Sequence, residues 1–338
     1  MMKIKNIKVV DKLKYLIILP IVILVTAIVM LVIPSIGMNV GIDFAGGSIV
    51  KFDLGDYAAT HQEIKADLKD DIIAKVKEKG FTVSSERWSG DDNTVLELGL
   101  LLSLDGTKID LSDAEQQKEY KDRIEGTEEN NYEDGLSHII ETLVLEANDG
   151  FDEVIFEYDF VGASAEKLLK NAIWATAVAV VIMLIYIIIR FTLTSGLAAV
   201  ICLAHDVLMM LALTTIFQIQ VNTTFIAAVI TIVGYSINAT IVIFDRIREN
   251  QALNSMKDKT NEEIANKSVA ETLSRTILTT ITTLAVIIIL AIVCSLMGVV
   301  SMEEFALPII FGLLAGTFSS VLLAPSVWVL LNKVGAKK

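Results

Sequence analysis

The sequence predicts a polytopic α-helical membrane protein with six transmembrane helices and one α+β domain between the first and second of them. Three observations carry that prediction. Runs of about 20 apolar residues recur, the length that crosses roughly 30 Å of hydrocarbon. One long polar segment, residues 38–168, interrupts the runs. Within that segment the apolar residues alternate in some stretches and recur every three to four residues in others. Composition agrees. Of the 338 residues 53% are hydrophobic and 20% charged, with mean hydropathy +0.60, whereas soluble domains run at about 45–50% apolar and about 25% charged.

Residues 1–14 form a basic N-terminus with Lys3, Lys5, Lys8, Lys12 and Lys14, and residues 15–37 the first span. A secretory signal peptide has a shorter apolar core, about 7–15 residues, ahead of an A-x-A-like cleavage site. The run here is longer and leads into MNVGIDFAGG, so it reads as a retained anchor. After the insert come spans at 169–190, 197–217, 223–244, 276–297 and 306–331, with a loop at 245–275 and a tail at 332–338.

Lysine and arginine in short loops set orientation. Arg190, then Arg246, Arg248, Lys257, Lys259, Lys267 and Arg275, then Lys333, Lys337 and Lys338 all fall on the side of the basic N-terminus if six spans alternate. QIQVNTT and GVVSMEEF, on the other side, hold no basic residue. Both termini are expected in the cytoplasm, the spans against membrane lipid, and residues 38–168 outside.

Residues 39–168 hold 31 acidic and 12 basic side chains, net −19, while the rest of the chain is +6. An acidic outer domain repels nucleic acid, which is excluded as its partner. GGSIVKFDL alternates as a strand, EIKADLKDDIIAKVKEKG reads as a helix ending at Gly80, and FTVSSERW with NTVLELGL reads as a hairpin pair. A second helix near Tyr132–Ala147 precedes the strand DEVIFEYDF. Strand–helix–strand–strand–helix–strand is the split βαβ, ferredoxin-like order. The acidic stretch Asp105–Asn131 interrupts it as an excursion.

Several motifs invite a functional reading. In GIDFAGG, Asp43 with Gly46 and Gly47 forms a tight hinge after the first span; no strand precedes it, which disfavours a phosphate loop. Asp206 lies in the third span, where an ionised carboxylate is costly unless paired or hydrated. GYSINATIVIFDRIREN places Ser236, Asn238 and Thr240 within the fourth span and Asp245, Arg246 and Arg248 in a charge cluster at its cytoplasmic exit. Thr276, Thr279, Thr280 and Thr283 form a stripe in the fifth span, headed by Arg275. Hydrogen bonds between helices explain such groups one by one. Three spans contributing together favour a polar ion path past Asp206, Asn238, Thr240, Thr279 and Thr283, tuned by Arg275. Gly312 and Gly316 form GxxxG, a packing motif. Cys202 and Cys294 sit inside apolar runs, and no CxxC or HExxH spacing occurs, so no metal, cofactor or enzymatic centre is indicated.

GIDFAGG, LAHDVLMM, the frame GYSIN-TIVIFDRIREN and NKSVAETLSRTILTTITTL, in this order, resemble the SecD/SecF family of the resistance–nodulation–division superfamily, on its SecF side. The resemblance implies an accessory subunit in the bacterial cytoplasmic membrane. It would act with SecD beside the Sec translocon channel and use a proton or sodium motive force to help draw an unfolded polypeptide outward. It breaks at position 239, where the family usually has aspartate and this chain has Ala239, and at VGASAEKLL, where VGPxxGxxL is common. A passive scaffold for SecD, and a half-size efflux transporter of the same superfamily, remain as alternatives.

Overall fold

The computed structural model describes residues 10, 13–33, 37–55, 62–89, 94–109, 113–127, 129, 133–147, 154–160, 165–297 and 299–335. The turn of VGASAEKLL and parts of the acidic excursion lie outside these residues. Two compact units emerge, one of apolar helices and one, built on Asn39–Ala172, around a small antiparallel sheet.

In the helical unit, α1 spans Ile18–Val32 and follows a single turn, Leu13–Leu16. Pro20 explains the break. Its ring lacks an N–H and crowds the carbonyl four residues back, that of Leu16. The 15 residues of α1 cover about 22 Å, less than the span expected at 15–37. The longer helices are α5 (Ala165–Arg190), α6 (Leu193–Ile216), α7 (Thr223–Ala252), α8 (Asn261–Leu296) and α9 (Val300–Phe318). A π-helical turn, Ser319–Leu323, joins α9 to α10 (Ala324–Gly335). Among the described residues five helical stretches are long and apolar enough to cross a membrane, the last running through Ser301–Val334.

Local chemistry sets the helix starts. Thr192 caps α6 by accepting from Ser195 N at 3.4 Å, and Asn222 caps α7 by accepting from Thr224 N and Phe225 N at 3.1 and 3.3 Å. Before α8, Thr260 and Glu263 form a reciprocal capping box, Thr260 N donating to the Glu263 carboxylate at 3.0 Å and Glu263 N to Thr260 Oγ1 at 3.3 Å. The segment 245–275, expected as a loop, is therefore mostly helix, with only Leu253–Thr260 between α7 and α8. The π turn also has a cause. Pro325 cannot donate to the carbonyl of Val321 and crowds it, so the preceding turn widens.

The sheet unit contains β1 (Gly47–Asp53), α2 (Gln62–Glu78), β2 (Phe81–Ser89), β3 (Val95–Leu104), β4 (Thr107–Lys108), α3 (Ala114–Glu125), α4 (Leu136–Ala147) and β5 (Ile155–Phe160). The strand order is β2-β3-β1-β5, every pairing antiparallel, with β4 a short hairpin partner of β3. Part of the acidic excursion is thus the helix α3, capped by Asp113. Val50 and Phe52 of β1 and Leu96, Leu98 and Leu100 of β3 fill the core with Leu68, Ile72 and Val76 of α2 and Ile140 and Val144 of α4. The four-residue spacing on both helices is the buried stripe of an amphipathic helix. Each such side chain contributes about 1.5–3 kcal/mol.

Candidate functional site

The third span supplies a carboxylate with no exposed surface. Asp206 of α6 is 0% exposed. Its Oδ2 accepts hydrogen bonds from Ser319 Oγ of the π turn at 2.7 Å and from Ser236 Oγ of α7 across a short contact. Its Oδ1 lies 2.9 Å from Nδ1 of His205. Three hydrogen-bonding groups from three separate elements thus converge on one side chain, which is what a buried charge needs in a low-dielectric interior.

The GxxxG pair makes that convergence possible. A Cβ at Gly312 would stand 2.5 Å from Ile232 Cγ1, and one at Gly316 would stand 3.4 Å from Ser236 Cβ and 3.6 Å from Asp206 Oδ2. The two glycines bring α9 against α7, and Ser319, one turn further on, falls on the same face. The π turn then leaves carbonyls that neighbouring hydroxyls bond. Ser319 Oγ reaches Gly316 O and Ser320 Oγ reaches Thr317 O, both at 3.2 Å.

The remaining site residues sit elsewhere. Asn238 is exposed on α7. It is two residues, or about 200°, from Ser236 and so points away from Asp206. Thr240 is buried. On α8 the stripe divides. Thr276 and Thr280 face inward, whereas Thr279 is exposed and Thr283 half-buried. Thr279 and Thr283 donate to their own helix, to Arg275 O at 2.8 Å and Thr279 O at 3.0 Å. Thr280 makes the interhelical link instead, accepting from Tyr235 Oη at 3.0 Å and sharing a hydrogen with Thr317 Oγ1 at 2.9 Å. Next to it, a cavity of about 90 Å³ is lined by Tyr235, Asn238, Ala239, Val242, Arg275, Thr276 and Thr279. The structure therefore separates two polar places on α7, where the sequence suggested one path.

At the far end of α7, Asp245 pairs with Arg248 at 2.8 Å, as their helical spacing allows, while Arg246 reaches Glu249 at 2.6 Å and Glu271 of α8 at 2.7 Å. Asp43 lies in a one-turn helix, Ile42–Ala45, closed by Gly46 with φ 76°. A Cβ on Gly47 would lie 1.9 Å from Leu100 O. These glycines serve close packing of β1 on β3, and Gly46 O accepts from Leu102 N at 3.0 Å.

Ser319, Thr317 and Tyr235 were not singled out from the sequence. A signal existed for Ser319, because Gly312, Gly316 and Ser319 repeat at i, i+4 and i+7. Its hydroxyl gives no hint in sequence of the carboxylate 113 residues earlier.

Residues 141–334 match the family model for the protein export membrane protein SecD/SecF, C-terminal. Protein translocase subunit SecF of Sebaldella termitidis is 32% identical over 301 residues, covering 88% of this chain and 83% of that one. The SecF subunit of Rhodobacter capsulatus is 31% identical over 298 residues, covering 86% and 79%. Among solved structures, the SecDF of Thermus thermophilus, a translocon-associated membrane protein, superposes with TM-score 0.69 at 25% identity, covering 98% of this chain. The chain spans 40% of the length of that SecDF polypeptide. With the model matched over more than half its length and SecF relatives aligned over most of it, this multi-pass membrane chain belongs to the SecD/SecF family of protein export membrane proteins.

Proposed function

We propose that the chain is an accessory subunit of the Sec export machinery. It acts with SecD beside the translocon channel and uses the ion motive force to promote late steps of polypeptide translocation. The reading places six spans in the bacterial cytoplasmic membrane, both termini inside, and the sheet unit outside as a ferredoxin-like lobe that meets the emerging unfolded chain. The strand order β2-β3-β1-β5, with α2 linking β1 to β2, supports that assignment of the lobe.

The observation that carries the ion-linked part is Asp206, fully buried and held by Ser236 and Ser319. An ionisable group inside a membrane unit is a functional candidate by default. Moving one charge across 100 mV releases about 2.3 kcal/mol, enough to bias a conformational equilibrium. Ala239, Asn238 and Arg275 border the second cavity, where a SecD carboxylate would find an amide, hydroxyls and a cation. Thr279 is among the hydroxyls lining that cavity, while Thr240 and Thr283 lie outside its lining.

The test is Asp206→Asn in living cells, followed by pulse-labelled maturation of an exported precursor. Slowed maturation, with normal abundance of the subunit and of SecD, is the expected result. Wild-type kinetics would dispose of the ion-linked role. They would favour the second reading, a passive scaffold for SecD, which the absence of a carboxylate at Ala239 supports.

A further inference from the structure

His205 stands beside Asp206 on α6 and has no role in the reading above. Its side chain is 13% exposed, and Phe318 stacks on its ring with centroids 5.9 Å apart and planes 24° apart. Nε2 is buried and has no hydrogen-bond partner among the described residues. The large majority of buried side-chain nitrogens are hydrogen-bonded, so this one is an exception that calls for an account. The carboxylate accepts from Ser236 and Ser319 on Oδ2, and Nδ1 lies against Oδ1. When Asp206 is ionised it has no hydrogen to offer, so the tautomer that bonds it carries hydrogen on Nδ1 and donates it. Nε2 then presents a bare lone pair.

With Nε2 bare the cluster holds one net negative charge inside the helical unit. One proton on Nε2 cancels it, and the imidazolium formed is paired with Asp206 across the existing 2.9 Å contact. The single turn Leu13–Leu16, in contact with the π turn, carries Lys14 and Tyr15. On α6 the nearest titratable group is Cys202, a turn away, whose Sγ lies 4.0 Å from Ser319 O. From α7 comes Ser236; Tyr235 bonds Thr280 on another face, and Asp245, Arg246, Arg248 and Glu249 pair at the helix end. The π turn presents Ser319. Between Ile18 and Val32, α1 has no ionisable side chain, and in α10 Lys333 is paired with Glu262.

We propose that His205 and Asp206 form a single one-proton site in which Nε2 of His205 takes the proton and Asp206 is the counter-charge. The step adds a proton to the Nε2 lone pair from water and returns it to water, taking the pair from −1 to neutral. Ser236 and Ser319 hold the carboxylate in place and are positioning residues. The site rests on the reading of Asp206 as an ion-linked group, yet it fails or stands on its own measurement.

That measurement is ¹⁵N NMR of the full chain in lipid nanodiscs with labelled histidines. The chain has three histidines, and His205→Gln assigns the signal by its loss. Across a pH series the Nε2 signal should pass reversibly between bare and protonated nitrogen, and Asp206→Asn should remove that passage. A ring that carries hydrogen on Nε2 throughout, or a passage unchanged in Asp206→Asn, overturns the proposal. Titration as described beside unimpaired export in Asp206→Asn would sink the export role and leave the proton site. A silent ring beside impaired export would do the reverse.

Discussion

Ser319 Oγ donates to Asp206 Oδ2 over 2.7 Å although 113 residues separate the two. The contact ties the π turn of the last helical stretch to the middle of α6. Ser319→Ala removes one of the two hydroxyls on Oδ2 and leaves its other hydrogen bonds intact. A loss of about 1–3 kcal/mol is expected, read as a lower unfolding temperature in detergent. Combined with Asp206→Asn, the second change should add less than it does alone, because the two share one interaction.

Close approach of α9 to α7 predicts an asymmetry within GxxxG. Gly312→Ala forces a methyl to 2.5 Å from Ile232 and should cost about 1–3 kcal/mol. Gly316→Ala meets its neighbours at 3.4 and 3.6 Å and should cost clearly less. Trimming the obstacle with Ile232→Ala should recover part of the Gly312→Ala loss. Thermal unfolding of the two single variants and the pair decides the matter, and equal losses at both glycines would contradict it.

In the sheet unit, Gly47→Ala drives a Cβ to 1.9 Å from a backbone oxygen, Leu100 O, which a rotamer change does not relieve. The pairing of β1 with β3 must shift. A loss of about 3 kcal/mol or more is expected, visible as protease cleavage inside residues 39–168 under conditions where the parent chain resists.

Burial pushes the Tyr120 phenol from its ordinary value of 10.0 up to about 12. A raised value means the folded unit holds the proton more tightly than the unfolded chain. Its contribution is complete below pH 10 and is lost as the pH rises towards about 12. Two pH units correspond to about 2–3 kcal/mol. Alkaline unfolding followed by tryptophan fluorescence should therefore steepen above pH 10, and Tyr120→Phe should flatten that limb. An unchanged limb in the variant would assign it to other groups.

The cavity of about 90 Å³ beside Ala239 has room for a larger side chain among Asn238, Arg275, Thr276 and Thr279. Ala239→Asp should fold with an unfolding temperature close to that of the parent. A severe loss of expression would show that the space is closed in the membrane.

Much of this architecture was legible in advance. The long apolar runs were, since any segment crossing hydrocarbon must satisfy its backbone internally and cover itself with apolar side chains. The strands of GGSIVKFDL and DEVIFEYDF were too, because alternation follows from the pleat. Boundaries were less so: the capping box at Thr260 and Glu263 starts α8 within the expected loop, and Pro20 shortens α1.

The site divided along the same line. Its ingredients, a carboxylate, hydroxyls and a pair of small residues in apolar helices, could be named from residue type, because polar groups there must be shielded from lipid. Which of them meet is a question of helix rotation and approach. Ser236 turns to Asp206 while Asn238, 200° away by helical geometry, turns outward. Gly312 and Gly316 set the distance, and a π turn ahead of Pro325 sets the angle of Ser319. Those are long-range packing outcomes, selected by the fit of whole helices against one another, and no local pattern encodes them.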